Sequence, residues 1–273
     1  MPSLFPTRLP AAKSVCIFLL TGMLAVTLTA CTKSVETVDR PSGTLPWTAA
    51  IGRLDAQDGS CSATLIKPDL ILTASHCLYG RGNQARITDF SFTPALDIGR
   101  ERLKAVKVTE VVAMGWPIKP DTSGKLSGAP KDDWAALRIS PAIDFVTPLR
   151  IEKVGVEDIY QRMEKGATLS HGGYGVYGAF SGKRLQMRQN CQLIRDADEM
   201  LETGHDVIVN SCDVIPGDSG GPILLSDGER HYVVGVVTNF WGAHGGKDFS
   251  SFGPSSVYFA DKLGADTAAT LAP

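Results

Sequence analysis

The sequence predicts an all-β fold of the barrel or sandwich kind, and three observations support this. Short apolar and β-branched runs are separated by turn residues, helical periodicity is weak, and stretches rich in glycine and proline break up the chain. A length of 273 residues also suits a single all-β unit. The candidate strands are Trp47–Leu54, Cys61–Ile66, Leu70–Ala74, Leu103–Val112, Trp134–Ile139, Val207–Val209, Ile223–Leu225 and Tyr232–Thr238.

Helical patterning is confined to two segments, Asp196–Glu202 and Val257–Leu263. The chain has 27 Lys and Arg against 29 Asp and Glu, without long runs of one sign. A nucleic-acid-binding surface needs clustered basic residues, so no nucleic-acid partner is expected.

The first 30 residues have the pattern of a secretory signal. Arg8 and Lys13 precede a largely apolar stretch, residues 14–28, that is short for a membrane span. The stretch ends in Leu28-Thr29-Ala30-Cys31, which resembles the lipobox of bacterial lipoproteins. That resemblance implies cleavage before Cys31, a lipid on its sulfur and attachment to a membrane surface. A plain signal peptide with a chance cysteine and an uncleaved anchor are the alternatives. Residues 31–45 are then expected to be the lipidated cysteine and a tether.

Four cysteines lie beyond this segment: Cys61, Cys77, Cys191 and Cys212. An even number in an exported chain predicts two disulfides, for which three pairings are possible. A zinc site is the alternative, but no CxxC-type spacing is present, and neither a metal nor a cofactor is expected.

Three segments carry reactive groups. They are Leu72-Thr73-Ala74-Ser75-His76-Cys77, Asp132-Asp133-Trp134-Ala135-Ala136-Leu137 and Gly217-Asp218-Ser219-Gly220-Gly221-Pro222. A serine hydroxyl becomes a useful nucleophile when a histidine removes its proton and a carboxylate holds the imidazole in one tautomer. Backbone N–H groups must also meet the developing oxyanion, and a glycine two residues before the serine allows the required turn.

These segments, in the order His, Asp, Ser, closely resemble the chymotrypsin/trypsin-type serine peptidases. The resemblance implies a double six-stranded antiparallel β-barrel with a short C-terminal helix. It also implies a triad of His76, Asp133 and Ser219, with an oxyanion hole formed by the N–H groups of Gly217 and Ser219. The substrate is then a protein or peptide. Asp132 competes for the orienting role, but the family's aspartate directly precedes an apolar residue and a small one, which selects Asp133.

The resemblance extends over about residues 46–263, which are taken as the peptidase domain, with 264–273 as a tail. It includes Leu45-Pro46-Trp47, Gly173-Tyr174-Gly175 and the segment 253–258. The Cys61–Cys77 pair matches the family's disulfide beside the histidine, and Cys191–Cys212 is the pair that remains. The other histidines, namely His171, His205, His231 and His244, are expected on the surface or in loops.

The chain departs from trypsin in two places. It contains no Ile-Val-Gly-Gly-type segment whose freed N-terminus could pair with Asp218, so another group is expected to do so without a cut. The primary pocket is assigned to Asp213, Thr238 and Phe240. Asp213 lies six residues before Ser219 and favours substrates with Arg or Lys. The neighbouring Cys212 instead resembles bacterial glutamyl endopeptidases, although Val237 stands where those relatives have a histidine.

The expected function is therefore a secreted serine endopeptidase that acts through an acyl-enzyme and needs no activating cut. A non-catalytic peptidase-like lipoprotein of the cell envelope is the alternative. An esterase of the G-x-S-x-G kind is a further alternative, but those enzymes place the histidine after the serine, whereas His76 comes first. The protein is expected in the periplasm or at the cell surface, held by Cys31 or freely secreted.

Overall fold

The computed structural model describes residues 36–38, 45–56, 59–79, 89–96, 104–115, 119–120, 126–176, 182–194, 206–242 and 249–264. All of them belong to one compact unit, Ser34–Pro273. The strands in chain order are β1 Glu36–Val38, β2 Ile51–Ala56, β3 Gly59–Lys67, β4 Leu70–Thr73, β5 Ser91–Pro94, β6 Val106–Met114, β7 Lys119–Pro120, β8 Leu126–Ser127, β9 Ala135–Ser140, β10 Arg150–Ile151, β11 Thr168–Gly173, β12 Gln186–Cys191, β13 Val207–Asn210, β14 Pro222–Asp227, β15 Arg230–Val236, β16 Asn239–Trp241 and β17 Ser250–Pro254.

The N-terminal half is a closed antiparallel barrel in the strand order β2-β3-β4-β9-β6-β5. Apolar side chains from these strands fill its interior, among them Ile51, Leu65, Ile71, Phe92 and Leu137, each at most 1% exposed. Side chains on alternate positions of a strand point to opposite faces, so a barrel buries one set from every strand. The strands predicted here are present, except that the first begins later because Pro46–Ala50 forms a 3-10 turn.

The C-terminal half consists of a six-stranded sheet, β1-β12-β11-β14-β15-β10, and a three-stranded sheet, β13-β17-β16. Isolated antiparallel β-bridges pair Leu193 with Asn210 and Gly235 with Ser255. Pro254 is the last residue of β17 and has no N–H to donate. This limits strand pairing next to the bridge between Gly235 and Ser255. The predicted all-β barrel fold class is confirmed. Among the described residues, however, the N-terminal half is a closed barrel, whereas the C-terminal half consists of two sheets.

One α-helix, α1 Val156–Glu164, lies within the described residues and was not predicted. Its first N–H donates to Asp206 Oδ1 at 3.0 Å, and only Ile159 is buried. Val156, Ile159 and Met163 recur at helical spacing and pack on the core, so the sequence carried this short signal although it was not used. The predicted C-terminal helix is present as two 3-10 turns, Ser256–Tyr258 and Asp261–Leu263. The predicted helix Asp196–Glu202 lies outside the described residues.

The segment predicted to be a tether is in part a strand. Strand β1 pairs antiparallel with β12, with Thr37 opposite Arg188, and forms an edge of the six-stranded sheet. Residues 36–38 therefore belong to the sheet, and the lipidated cysteine and tether over residues 31–45 stay a prediction. The signal segment, Cys31 and residues 265–273 lie outside the described residues. No helix within the described part of the chain is long and apolar enough to cross a membrane.

Candidate functional site

The barrel brings His76 and Asp133 to the same edge. His76 follows β4 in a 3-10 turn, Ser75–Leu78, and Asp133 directly precedes the first paired residues of β9. Strands β4 and β9 are antiparallel neighbours with Thr73 opposite Ala135, so the end of one lies beside the start of the other. The predicted pair thus meets because of strand register.

Asp133 is buried and accepts three hydrogen bonds. His76 Nδ1 donates to Oδ2 at 2.8 Å, and the His76 N–H and the Ser75 hydroxyl donate to Oδ1, each at 2.9 Å. Burial alone would raise the pKa of Asp133, but the charge and hydrogen bonds of His76 outweigh it and hold that pKa below its usual value. Since Nδ1 donates to the carboxylate, neutral His76 carries an acceptor at Nε2. This is the tautomer that a general base requires.

Ser219 lies between the barrel and the C-terminal sheets. Its carbonyl accepts from Ser62 N of β3 at 2.7 Å, and its hydroxyl donates to Thr238 O at 3.4 Å. The Cys77 Sγ atom lies 3.8 Å from the Ser219 carbonyl and 3.9 Å from His76 Nε2. Of the predicted triad, His76 and Asp133 are bonded to each other, and the main chain of Ser219 lies against the same sulfur as the His76 ring.

The turn before the serine is held from two sides. Gly217 has φ +100°, and a Cβ there would lie 2.5 Å from the Tyr174 carbonyl, so the position requires glycine. The buried Ser62 hydroxyl donates to Gly217 O at 2.8 Å and accepts from Tyr174 N at 2.8 Å. Val176 N donates to Pro216 O at 2.8 Å. In a planar trans peptide, this orients the Gly217 N–H to the side away from Val176.

Two disulfides are present, Cys61–Cys77 and Cys191–Cys212, with sulfur–sulfur distances of 2.05 and 1.93 Å. The first joins β3 to the turn that carries His76. Cys61, His76 and Cys77 form the one grouping of metal-ligand type found among the described residues. Because both sulfurs are committed to a disulfide, neither is available as a thiolate ligand.

Residues 34–260 match the protein family described as Trypsin. The chain belongs to the trypsin family. A trypsin-like protease from Streptomyces glaucescens is 29% identical over 196 residues, which cover 67% of this chain and 65% of that protein. The match therefore spans a little under two thirds of the relative's own length. A solved structure of a thermostable serine protease, AL20, from an extremophilic microorganism shares the fold. It has a TM-score of 0.55 and 21% identity, and the match covers 76% of this chain and 91% of that one.

In this trypsin-family chain Asp218 already has a cationic partner. Arg188 Nη2 lies 3.4 Å from Asp218 Oδ2, and the two side chains are 5% and 0% exposed. Ile215 N donates to the same carboxylate oxygen at 3.0 Å. Burial raises the pKa of Asp218 to about 6, while the Arg188 charge acts to lower it. The sequence predicted that some group would take this place but did not identify Arg188.

His171 is fully buried on β11, so the prediction of a surface or loop position is wrong for this residue. Its Nε2 lies 3.1 Å from the Asp213 carbonyl oxygen. Burial, followed by the charge of Arg188, lowers the pKa of His171 to about 3, which keeps the ring neutral. His231 lies on β15, half-buried, and stacks on Trp47 with ring centroids 4.2 Å apart. His205 and His244 lie outside the described residues.

The three predicted pocket residues occupy different elements. Asp213 is half-buried in the loop that leads to the nucleophile, and Thr238 is buried beside Ser219. Phe240 lies on β16 and stacks on Phe249, with centroids 5.4 Å apart. Its N–H donates to Asn239 Oδ1 of the preceding residue at 2.8 Å. Strand β16 is the last strand of its sheet among the described residues.

Sequence reasoning missed three residues that hold the site: Ser62, His171 and Arg188. Each is buried and polar, and each contacts the loop before Ser219 from a strand distant in sequence. Ser62 lies in a predicted strand, and a polar residue there was the available signal, because a buried polar group needs a partner. The sequence does not say which partner that is. The strands that carry His171 and Arg188 were not predicted.

Proposed function

We propose that the protein is a serine endopeptidase whose catalytic triad is Ser219, His76 and Asp133. The observation that carries the proposal is the buried Asp133 carboxylate bonded to His76 Nδ1, on the edge of a trypsin-family barrel that also holds Ser219. Membership of the family makes peptides and proteins the substrate class. The composition of the site supplies a nucleophile, a base and an orienting carboxylate.

In the proposed mechanism, Ser219 Oγ attacks the scissile carbonyl carbon while His76 Nε2 takes the hydroxyl proton. The resulting oxyanion is bound by the N–H groups of Gly217 and Ser219. His76 then donates its proton to the leaving amine as the C–N bond breaks, which leaves an acyl-enzyme. A water attacks that ester with His76 again as base, and the acid product leaves as Ser219 regains its proton. Asp133 stabilises the imidazolium and stays ionised throughout.

A fluorophosphonate probe tests the proposal, because it phosphonylates activated serines. The wild-type chain is expected to be labelled and to cleave a denatured protein, and Ser219→Ala is expected to lose both activities. Ser226→Ala is the matched control, because this half-buried serine lies on β14 and bonds to His231 at 2.8 Å. A folded wild type that takes up no label and cleaves nothing would favour the non-catalytic envelope lipoprotein.

The enzyme is further proposed to be active without an N-terminal cut. The buried Asp218 carboxylate, which elsewhere in the family awaits a freed ammonium, is already paired with Arg188. Residues 36–38 are also engaged in strand pairing with β12. Mass spectrometry of the probe-labelled protein is expected to find label on chains that retain residues 33–40. Label found solely on chains trimmed in that region would contradict the proposal.

The residue preference is proposed to be Arg or Lys, selected by the carboxylate of Asp213. This half-buried side chain belongs to the loop that ends at the nucleophile, which supports a position in the primary pocket. Digestion of a peptide library, scored for the residue before each cut, tests this proposal. A preference for acidic residues would instead favour the glutamyl-endopeptidase resemblance.

The protein is proposed to be exported and anchored through a lipid on Cys31. Two disulfides in one domain suit an oxidising compartment, which supports export. Growth of an expressing bacterium with a clickable palmitate analogue tests the anchor. The label should appear on the wild type and be absent from Cys31→Ser. Equal labelling of the two would refute the anchor while leaving the peptidase proposal intact.

A further inference from the structure

Two buried polar residues from neighbouring strands contact the loop that precedes the nucleophile. His171 on β11 and Arg188 on β12 are directly opposite each other in the strand register. Side chains at opposite positions lie on the same face of a sheet, within contact distance. Both are almost fully buried, at 1% and 4% exposure. They therefore form one cross-strand pair inside the C-terminal half.

The two members of this pair contact opposite ends of the same loop. His171 Nε2–H donates to the carbonyl of Asp213 at 3.1 Å, and Arg188 Nη2 forms an ion pair with the carboxylate of Asp218 at 3.4 Å. The loop from 213 to 218 is closed on itself between these points. Asp218 N donates to Ile215 O, and Ile215 N donates to the Asp218 carboxylate, each at 3.0 Å.

We propose that His171 and Arg188 are positioning residues that clamp loop 213–218 at its two ends with different effects. Arg188 fixes the end that carries Gly217 and Asp218, and thus the oxyanion hole. His171 fixes the main chain at Asp213, and thus the base of the specificity pocket. The inference rests on the proposed function and goes beyond it, because it divides turnover and substrate preference between two residues that touch neither substrate nor nucleophile.

The chemistry of the pair explains why one member is a histidine. Arg188 brings a permanent charge into a buried space, and Asp218 balances that charge. A second cation on the opposite strand would be repelled, but a neutral imidazole still offers an N–H to the Asp213 carbonyl. The loss of charge on His171 follows from its burial and from Arg188 itself.

Three variants separate the two effects in the full-length chain. Arg188→Met is expected to lower the rate of fluorophosphonate labelling by at least about 100-fold, the scale for loss of an oxyanion-hole donor. Its residue preference in a peptide library should be unchanged. His171→Leu should flatten that preference by about tenfold, the effect of one lost hydrogen bond, with a smaller change in labelling. His171→Gln retains an N–H donor and should restore the preference.

The matched controls are Arg230→Met and His231→Gln, an exposed arginine and a half-buried histidine on β15, and both should stay within about twofold of wild type. If Arg188→Met fails to fold, the double variant Arg188→Met/Asp218→Asn removes both charges and leaves neither buried alone. It should fold and show the same loss of labelling. Labelling of Arg188→Met at the control rate, or a wild-type preference in His171→Leu, would overturn the clamp.

Hydrogen exchange separates failure of the clamp from failure of the proposed function. The clamp predicts faster exchange of the amides in residues 213–218 in Arg188→Met and His171→Leu than in the controls, whether or not the wild type is labelled. A wild type without labelling but with this exchange pattern would refute the peptidase and retain the clamp. Unchanged exchange in an active enzyme would refute the clamp alone.

Discussion

Acidification should destabilise this protein through His171, and a conservative substitution should remove the effect. The folded state holds the pKa of His171 at about 3, whereas an unfolded histidine titrates near 6.5. A depressed pKa in the folded state means that the unfolded chain binds the proton first as the pH falls. The stability that the neutral ring provides is therefore complete above pH 6.5 and is lost progressively toward pH 3.

The magnitude follows from the two pKa values. Between pH 7 and pH 5 an unfolded His171 becomes almost fully protonated while the folded ring stays neutral. At about 1.4 kcal/mol per pH unit, this removes about 2 kcal/mol from the free energy of unfolding. Asp218 acts in the opposite direction, because its folded pKa of about 6 lies above that of an unfolded aspartate. Through Asp218, the free energy of unfolding rises by about 1 kcal/mol as the pH falls from 7 to 5.

The comparison of wild type with His171→Gln isolates the histidine, since the Asp218 contribution is common to both. Urea unfolding followed by tryptophan fluorescence at pH 7, 6 and 5, in a Ser219→Ala background that prevents self-digestion, measures the difference. Wild type should lose about 2 kcal/mol more than the variant between pH 7 and 5. The same substitution at the half-buried His231 should change the pH dependence less. Parallel curves for wild type and His171→Gln would refute the reasoning.

Two further results are expected from the site. Removing the Cys61–Cys77 bridge with two alanines should cost about 3 kcal/mol of stability, given a sequence separation of 16, with the loss measured by urea unfolding. Gly220→Ala should abolish probe labelling, because its Cβ would lie 2.1 Å from a threonine hydroxyl at φ +83°. Gly228→Ala at φ +62° meets open space and should cost only about 1 kcal/mol.

The parts of the site that could be predicted are those in which the reacting group and its backbone requirement lie in one short segment. Gly217 needs its positive φ, and Ser219 follows two residues later, so the sequence holds both in one motif. The disulfide beside His76 was predicted from the resemblance to the family, which carries a disulfide at this place. Such local patterns can be recognised in the sequence without knowledge of the fold.

The residues that hold this motif in place could not be predicted, because their partners come from distant strands. Arg188 looks like any polar residue in a strand-like segment, and only the register of β11 and β12 puts it opposite His171. Strand β1 was missed for a related reason, because it owes its structure to pairing with β12. Helix α1 is different, since its apolar residues at helical spacing were visible in the sequence.

These long-range contacts also bear on the need for activation. Where only a freed N-terminus orders such a loop, the loop becomes ordered after the cut that frees this terminus. Here Arg188 and His171 belong to strands that form with the fold, and β1 covers the edge of the strand that carries Arg188. The entropy cost of ordering residues 213–218 is then met during folding. On the proposal that Arg188 takes the place of a freed N-terminus, no cut is needed to order residues 213–218.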